Sequence, residues 1–296
     1  MICLCCDKKL EAVLSDYTFY CDECTYWASN LVPHIGSKTL QIEVSDAKNT
    51  NIDISHLDYV RRPNFEKIIQ YIRSAHPAEA PSILDIGCGP GLFMIIAKEQ
   101  NCDVIVIEPN TLMYNAAHEK GLNVRKGFFP EQLRKNEKFD FIIMNDVFEH
   151  LENNVEFLKA IPFHLNKNGK LLINVPSAKG FVFVIGKILQ RFGFSNIWDR
   201  LWQKMFYTPH LHYFTPKSLK ILLHNHGFQI EENKLRLKTL SIKGLWRRLS
   251  VEPDTSILYR IFIFCSICVM VPILKIGNPD SIIITATFKK LKKQSS

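Results

Sequence analysis

Four cysteines near the start of the chain are spaced to bind one metal ion. Cys3 and Cys6 form one CxxC pair and Cys21 and Cys24 a second, with fourteen residues between the pairs. Each CxxC turns as a knuckle that aims two thiolates at one point, and four thiolates suit a closed tetrahedral zinc site. A closed site has no open position, so its expected role is structural; rubredoxin-like iron is the alternative. Cys5 is surplus to that spacing. A second group lies in Asp85-Ile-Gly87-Cys-Gly89-Pro-Gly91, which leaves an apolar strand and enters a helix. Glycines let the backbone turn sharply and a ligand come close. The helix start offers unpaired N–H groups. Glu108 ends the next strand, 21 residues after Gly87, where a carboxylate can accept both hydroxyls of a ribose.

This loop is not a dinucleotide fingerprint. GxGxxG would need glycine at position 92, which is Leu92, and the third glycine comes early, at Gly91. A ligand with ribose and adenine but no pyrophosphate fits the tighter loop. S-adenosylmethionine is such a ligand, and Asp85 could then face its cationic methionine end. Three histidines are candidate bases for drawing a proton from an acceptor hydroxyl. His150 follows the fourth strand of the pattern below. His210 and His212 alternate in Pro209-His-Leu-His-Tyr-Phe-Thr215 and share a face if that stretch is extended. A capping or packing role is the alternative for each.

The elements that must position these residues read as follows. Residues 1–30 form a zinc ribbon with a strand at 17–20, residues 31–57 a polar connector, and residues 58–296 one large domain. Phe65, Ile68, Ile69 and Ile72 recur at helical spacing between Tyr59 and Arg73. From Ser82 onward, strands at 82–86, 103–107, 122–126, 139–144 and 170–175 alternate with helices at 92–101, 111–120 and 155–164. Asn166-Lys-Asn-Gly169 reads as the turn into the fifth strand. Continuous apolar strands separated by helices predict an α/β fold with a doubly wound, Rossmann-like parallel sheet. Thr215-Pro216 caps a helix running to Gly227. Strands at 228–238 and 281–288 then close the domain as an antiparallel hairpin.

The balance of the whole chain is that of a globular protein. It has 296 residues, 47% apolar and 22% charged, which excludes disordered, collagenous and coiled-coil classes. Of the net charge of +8, half comes from Lys289, Lys290, Lys292 and Lys293. The start at Met1-Ile2-Cys3, with no apolar leader, gives the expectation of a cytoplasmic protein. Two apolar insertions stand out. Residues 180–206 read as a lid, a membrane-facing segment or extra core. Residues 243–276 include the run 257–276, whose length approaches a membrane span. The strands on either side should share one sheet, so peripheral contact with the inner face of a membrane is expected instead of a crossing. A buried helix or a dimer interface is the alternative.

The chain resembles class I S-adenosylmethionine-dependent methyltransferases of the branch that modifies small molecules, sugars and lipids. The resemblance rests on Ile83-Leu-Asp-Ile-Gly-Cys-Gly-Pro-Gly91, Val106-Ile-Glu-Pro109, Phe139-Asp-Phe-Ile-Ile-Met-Asn-Asp-Val-Phe-Glu-His-Leu151 and Leu165-Asn-Lys-Asn-Gly-Lys-Leu-Leu-Ile173. These stand in the family's order and cover residues 80–230. It implies that Gly87, Gly89 and Gly91 wrap the methionine moiety, with Glu108 on the ribose and Pro109 and Asn110 beside it. Gly127 and Phe128 fall where the family contacts adenine, without the Asp that many members carry. Asn145, Asp146 and Phe148 fall beside the transferable methyl group, and Arg61 or Arg62 near the cofactor's carboxylate. Asn145-Asp-Val-Phe148 is not the Asn/Asp-Pro-Pro-Tyr of base and glutamine N-methyltransferases. The ribbon resembles that of enzymes of bacterial polysaccharide and deoxysugar pathways. The expected activity is O-methylation of a saccharide or lipid-linked glycan intermediate. An isoprenoid quinone or other lipid is the alternative acceptor. A zinc-ribbon RNA methyltransferase or RNA-binding protein is a further reading. Against nucleic acid as partner, the ribbon has few basic residues besides Lys8 and Lys9 and no basic-aromatic stripe.

Overall fold

The computed structural model describes residues 1–33, 55–76, 79–204, 206–231, 235, 237 and 278–289. Most of the expected connector and the whole of the 243–276 insertion lie outside the described residues, as do Lys290, Lys292 and Lys293. Three short strands come first: β1 (Glu11–Ala12), β2 (Thr18–Cys21) and β3 (Tyr26–Ser29). After the helix Ser55–Ala75 come β4 (Ser82–Ile86), β5 (Asp103–Glu108), β6 (Val124–Lys126), β7 (Phe139–Asn145) and β8 (Leu165–Pro176). Next are β9 (His212–Tyr213), β10 (Phe228–Glu231) and β11 (Ser281–Phe288).

The central sheet has the order β10-β11-β8-β7-β4-β5-β6. From β8 to β6 all pairs are parallel, and β11 runs antiparallel to both β8 and β10. This is the expected Rossmann-like sheet with its terminal hairpin. The sequence of β5, Asp-Val-Ile-Val-Ile-Glu, is β-branched where the strand is covered on both faces, and Val104, Val106 and Ile107 are buried. On one face Ile68, Ile69 and Ile72 of the first long helix pack with Phe93, Met94 and Ile96 of the helix Leu92–Glu99. On the other, Leu84, Ile142 and Ile173 meet Leu158, Ile161, Leu219 and Leu222. Strand order reverses at β4, so the crevice at the C-terminal ends of β4, β5 and β7 is where such a sheet receives a ligand.

Two element boundaries differ from the sequence reading. Strand β8 starts at Leu165, because Leu165 already pairs with Phe139 before Lys170 pairs with Phe141. The expected turn at 166–169 is therefore a bulge inside one strand. The helix expected to reach His164 ends at Ala160 and tightens into a 3-10 turn, Ile161–His164. Pro162 has no N–H to continue the α-helical ladder.

The N-terminal ribbon is built into the domain. Strand β9 joins its sheet, with Trp27 opposite Tyr213 and Ala28 opposite His212. Cys5 Sγ donates to the Ser218 carbonyl at 3.3 Å, which gives the surplus cysteine a docking role. Residues 180–206 include the helices Phe181–Arg191 and Ser195–Leu201. One face of this insertion is core, and the other leaves Ile188, Phe192, Phe194 and Phe206 exposed. Phe183, Trp198 and Trp202 are buried against Tyr17, Trp27 and Tyr213. No described helix is long and apolar enough to cross a membrane. The strands flanking the undescribed insertion do pair, Phe228 with Phe288 and Glu231 with Thr285.

Candidate functional site

The glycine loop and Glu108 form one unit. Glu108 is 5% exposed, and its two oxygens accept N–H groups on either side of the crevice. Oε2 takes the Gly89 N–H at 2.9 Å and Oε1 the Asn110 N–H at 2.8 Å. Asn110 also caps the following helix, its Oδ1 accepting from Leu112 and Met113. Gly91 has φ 85°, and a Cβ there would lie 2.3 Å from Leu122 Cδ1. The loop can therefore pack this tightly against the sheet edge only as glycine. Gly89 has φ 55° but faces open space, so a side chain there would enter the crevice.

Above the loop lies a cavity of about 650 Å³. It is lined by Gly87, Gly89, Glu108, Pro109 and Asn110 and by Asp146, Val147, His150 and Leu151, with Gly87 directly against Val147. Gly127, Phe128 and Met113 also line it. Asp85 is buried beneath the loop, and its Oδ2 has no hydrogen-bond partner. Burial and then the Glu108 charge push the Asp85 carboxyl up to about 7. Burial likewise pushes Glu108 up to about 6, against the pull of the Asn110 and Gly89 N–H groups. An unpartnered buried carboxylate, a ribose-type acceptor and a backbone cradle that tolerates no side chain fit S-adenosylmethionine, whose sulfonium and ammonium supply the missing positive charge.

That pairing predicts opposite pH trends for affinity and stability. Both carboxyls hold their protons to higher pH in the folded chain than unfolded, where they titrate near 4. Their stabilising contribution is thus present below about pH 4 and declines as pH rises toward 7. A cationic ligand favours the ionised carboxylates, so donor affinity should rise several-fold between pH 5.5 and 8. Calorimetry across that range on wild type and Asp85→Asn checks this. A pH-independent affinity in the wild type would refute the pairing.

The structure separates the other expected residues. Phe148 is 0% exposed and packs on Phe214. The 3-10 turn Phe148–His150 sends that ring into the core, which is a correction to its expected place beside the ligand. Val147 and His150 line the cavity in its stead. Asn145 Oδ1 accepts from Asn174 at 3.0 Å, and Gly91 is packing, not lining. Burial raises the Asp146 pKa while the Arg61 guanidinium opposes the rise, so Arg61 acts on the crevice. Arg62 turns away to pair with Glu66 and Glu99.

The histidines are also separated. His150 Nδ1 meets the Pro209 carbonyl at 2.9 Å and must donate, which leaves the lone pair on Nε2. His210 lies against it, the rings tilted by 54° with centroids 4.8 Å apart. His212 is not at the cavity. Its Nε2–H donates to the Leu151 carbonyl at 2.7 Å and its Nδ1 accepts from the Tyr26 hydroxyl, tying ribbon to domain. Burial pushes His210 and His212 down to about 3 and about 4, so both rings are neutral. The shared face expected for them fails because only residues 212 and 213 are strand. Sequence reading passed over Glu149, which is 1% exposed with Oε2 unpartnered.

The four ribbon sulfurs of Cys3, Cys6, Cys21 and Cys24 lie within 4.8 Å of one another. Cys6 and Cys21 sulfurs are 3.7 Å apart, against about 3.8 Å for tetrahedral sulfurs at about 2.3 Å from zinc. Zinc fits this donor set.

The fold and the crevice define an S-adenosylmethionine-dependent methyltransferase architecture. Residues 57–233 match a family model described as methyltransferase domain, and the chain belongs to that family. The ubiquinone biosynthesis O-methyltransferase of Rickettsia canadensis is 26% identical over 150 residues, 49% of this chain and 64% of that protein. Its counterpart from Azorhizobium caulinodans is 25% identical over 195 residues, 63% of this chain and 72% of that protein. The chain thus spans about two thirds of the length of these relatives. Magnesium protoporphyrin IX methyltransferase of Synechocystis PCC 6803, solved with S-adenosylhomocysteine, shares the fold. The TM-score is 0.52 at 12% identity, covering 85% of this chain and 96% of that one.

Proposed function

We propose that the chain methylates a hydroxyl of a small, phosphate-free acceptor with an apolar body, of quinol type. One observation carries this reading. The cavity's lining holds Glu108, Glu131, Asp146, Glu152 and Glu156 and, among the described residues, no Lys or Arg, with the Arg61 guanidinium acting on Asp146 from outside that lining. Such a lining attracts a cationic donor and repels phosphate, which speaks against nucleotide sugars and nucleic acid. Phe128, Phe129, Leu151 and Phe157 offer the acceptor an apolar wall. The names of the O-methyltransferase relatives support the same acceptor class. A saccharide hydroxyl is the second reading, favoured by the hydrogen-bonding groups of Glu152, Asn153 and Glu156. Peripheral membrane contact through residues 243–276 belongs to the lipid reading, since it would bring the chain to an acceptor dissolved in the bilayer. Structural zinc on Cys3, Cys6, Cys21 and Cys24 is part of the proposal.

In this reading Gly87 and Gly89 bring backbone against the methionine end, Asp85 balances its charge and Glu108 holds the ribose. Bound S-adenosylmethionine supplies a sulfonium methyl group, which the acceptor oxygen takes as the C–S electron pair returns to sulfur. The protein orients the two partners and excludes water. His150, with its lone pair on Nε2, assists loss of the acceptor proton. The test is transfer of labelled methyl groups to a prenylated hydroquinone or catechol, set against saccharide acceptors. Label is expected in the quinol product. His150→Ala is expected to lower turnover about a hundredfold or more, with donor affinity retained. Transfer to saccharides alone would favour the second reading. A chain that binds the donor and methylates neither class would overturn both.

A further inference from the structure

Behind the cavity wall, three side chains form a cluster that neither the fold nor the glycine loop requires. One ligand-type atom from each of Glu149, His150 and His210 lies within 4.8 Å of the others. Glu149 is buried, and its Oε2 accepts no hydrogen bond. A buried ionised carboxylate left without a partner is strongly unfavourable, so this carboxyl asks for a proton or a cation, and its other oxygen, Oε1, lies 3.9 Å from His150 Nε2.

The two rings are set for a cation. His150 Nδ1 donates to the Pro209 carbonyl. His210 Nδ1 lies 3.1 Å from the Tyr213 hydroxyl, whose own proton goes to the Leu201 carbonyl, so Nδ1 must donate there too. In both rings the lone pair therefore sits on Nε2. A metal-binding histidine is typically held in this way, with its other nitrogen donating to a carbonyl or another fixed oxygen. His212 has the opposite arrangement, with its Nε2–H committed to the Leu151 carbonyl, and is excluded. At present the His210 Nε2 takes a hydrogen bond from the Gln203 amide at 3.0 Å. A tetrahedral ion at about 2.1 Å sets its ligands about 3.4 Å apart, which small side-chain rotations here would reach.

We infer that Glu149, His150 and His210 bind one divalent transition-metal ion at the cavity wall. The donor set, two imidazoles and one carboxylate, suits manganese, iron or zinc and leaves coordination positions open. His150 lines the cavity, so those positions are within reach of an acceptor oxygen. Asp146, whose charge acts on Glu149, adds to the field that holds a cation. Bound to the ion, an acceptor hydroxyl is more acidic and gives its proton to water, while its oxygen keeps the electron pair for bond formation. This inference rests on the methyl-transfer reading above and specifies how His150 serves it, as an ion ligand instead of a direct base.

The test uses the full chain with its ribbon zinc in place, titrated with manganese(II) chloride, free ion being read by electron paramagnetic resonance. Manganese is the probe because the soft thiolates of the ribbon discriminate against it. One saturable ion per chain is expected. Glu149→Gln and His210→Gln should each weaken it tenfold or more. Gln203→Ala, which removes the competing amide, should tighten it. S-adenosylmethionine affinity, measured in parallel by calorimetry, should stay within about twofold in all three variants. Absence of saturable binding to wild type, or equal binding to Glu149→Gln, His210→Gln and wild type, would overturn the cation site while leaving the donor site standing. Failure of wild type to bind the donor would instead overturn the methyl-transfer reading. Gln203→Ala changes a partly exposed position, so it keeps the test decisive if a buried variant misfolds.

Discussion

Glu108→Ala is expected to weaken S-adenosylmethionine binding by roughly tenfold to a few hundredfold. The estimate follows from two hydrogen bonds to a charged acceptor at about 1.5–3 kcal/mol each, less what water recovers in the truncated site. Geometry makes the loss large. Each Glu108 oxygen already spends one lone pair on a backbone N–H, Gly89 on one side and Asn110 on the other. The same side chain thus shapes the loop and presents acceptors to a ribose, and truncation removes both effects. Glu108→Gln separates them. Its amide retains one acceptor oxygen but turns a donor toward one of the two N–H groups, so an intermediate loss is expected. Gly89→Leu supplies a control from the opposite direction. Its side chain would enter open space in the crevice, abolishing binding by filling the site while destabilising the fold only by the left-handed backbone strain of about 1–2 kcal/mol. Calorimetry for affinity and thermal melting for the fold read the three variants. Wild-type affinity in Glu108→Ala would overturn the ribose assignment.

What could be read ahead of the structure was whatever local chemistry dictates. The β-branched run of β5 and the glycines before the helix Leu92–Glu99 are local signals, and each is where the sequence places it. Side-chain direction around His150 was not local. Phe148 and His150 share one turn, and only the position of Phe214, 66 residues on, decides which of them goes to the core. The pairing of His212 with Tyr26 depends on β9 joining the ribbon sheet, a long-range contact with no trace in a two-residue strand. Glu149 lay hidden for a related reason. A glutamate beside a histidine reads as a solvated helix start, and its burial follows from Leu211 bonding its carbonyl. The bulge in β8 shows the converse: Asn166-Lys-Asn-Gly169 is a sound turn sequence, but pairing of Leu165 with Phe139 draws the turn inside the strand.

Cys24→Ser should release the ribbon metal and unfold more than the ribbon. Structural zinc contributes about 10–16 kcal/mol to the folding of isolated zinc-finger peptides. Here the loss is smaller, because β9 and the aromatic cluster also hold the ribbon, but several kcal/mol should remain visible as a drop in melting temperature of 10 °C or more. The chain carries its own reporter. Of its four tryptophans, Trp27, Trp198 and Trp202 lie in the cluster shared by the ribbon and residues 180–206. Ribbon loss exposes them together, so fluorescence should shift to the red as zinc content, read by atomic absorption, falls below one per chain. Cys5→Ser separates ligation from docking. Cys5 donates to the Ser218 carbonyl and lies outside the four-sulfur group, so that variant should keep its zinc and melt within a few degrees of wild type. The consequence reaches the cavity through residues 208–213, because Thr208 lines it and the Pro209 carbonyl fixes His150. Donor binding at Glu108 should therefore survive in Cys24→Ser at temperatures where the sheet is intact, while methyl transfer beside His150 falls. Zinc retained at one per chain, or a wild-type melting curve, would rule out the four-cysteine assignment.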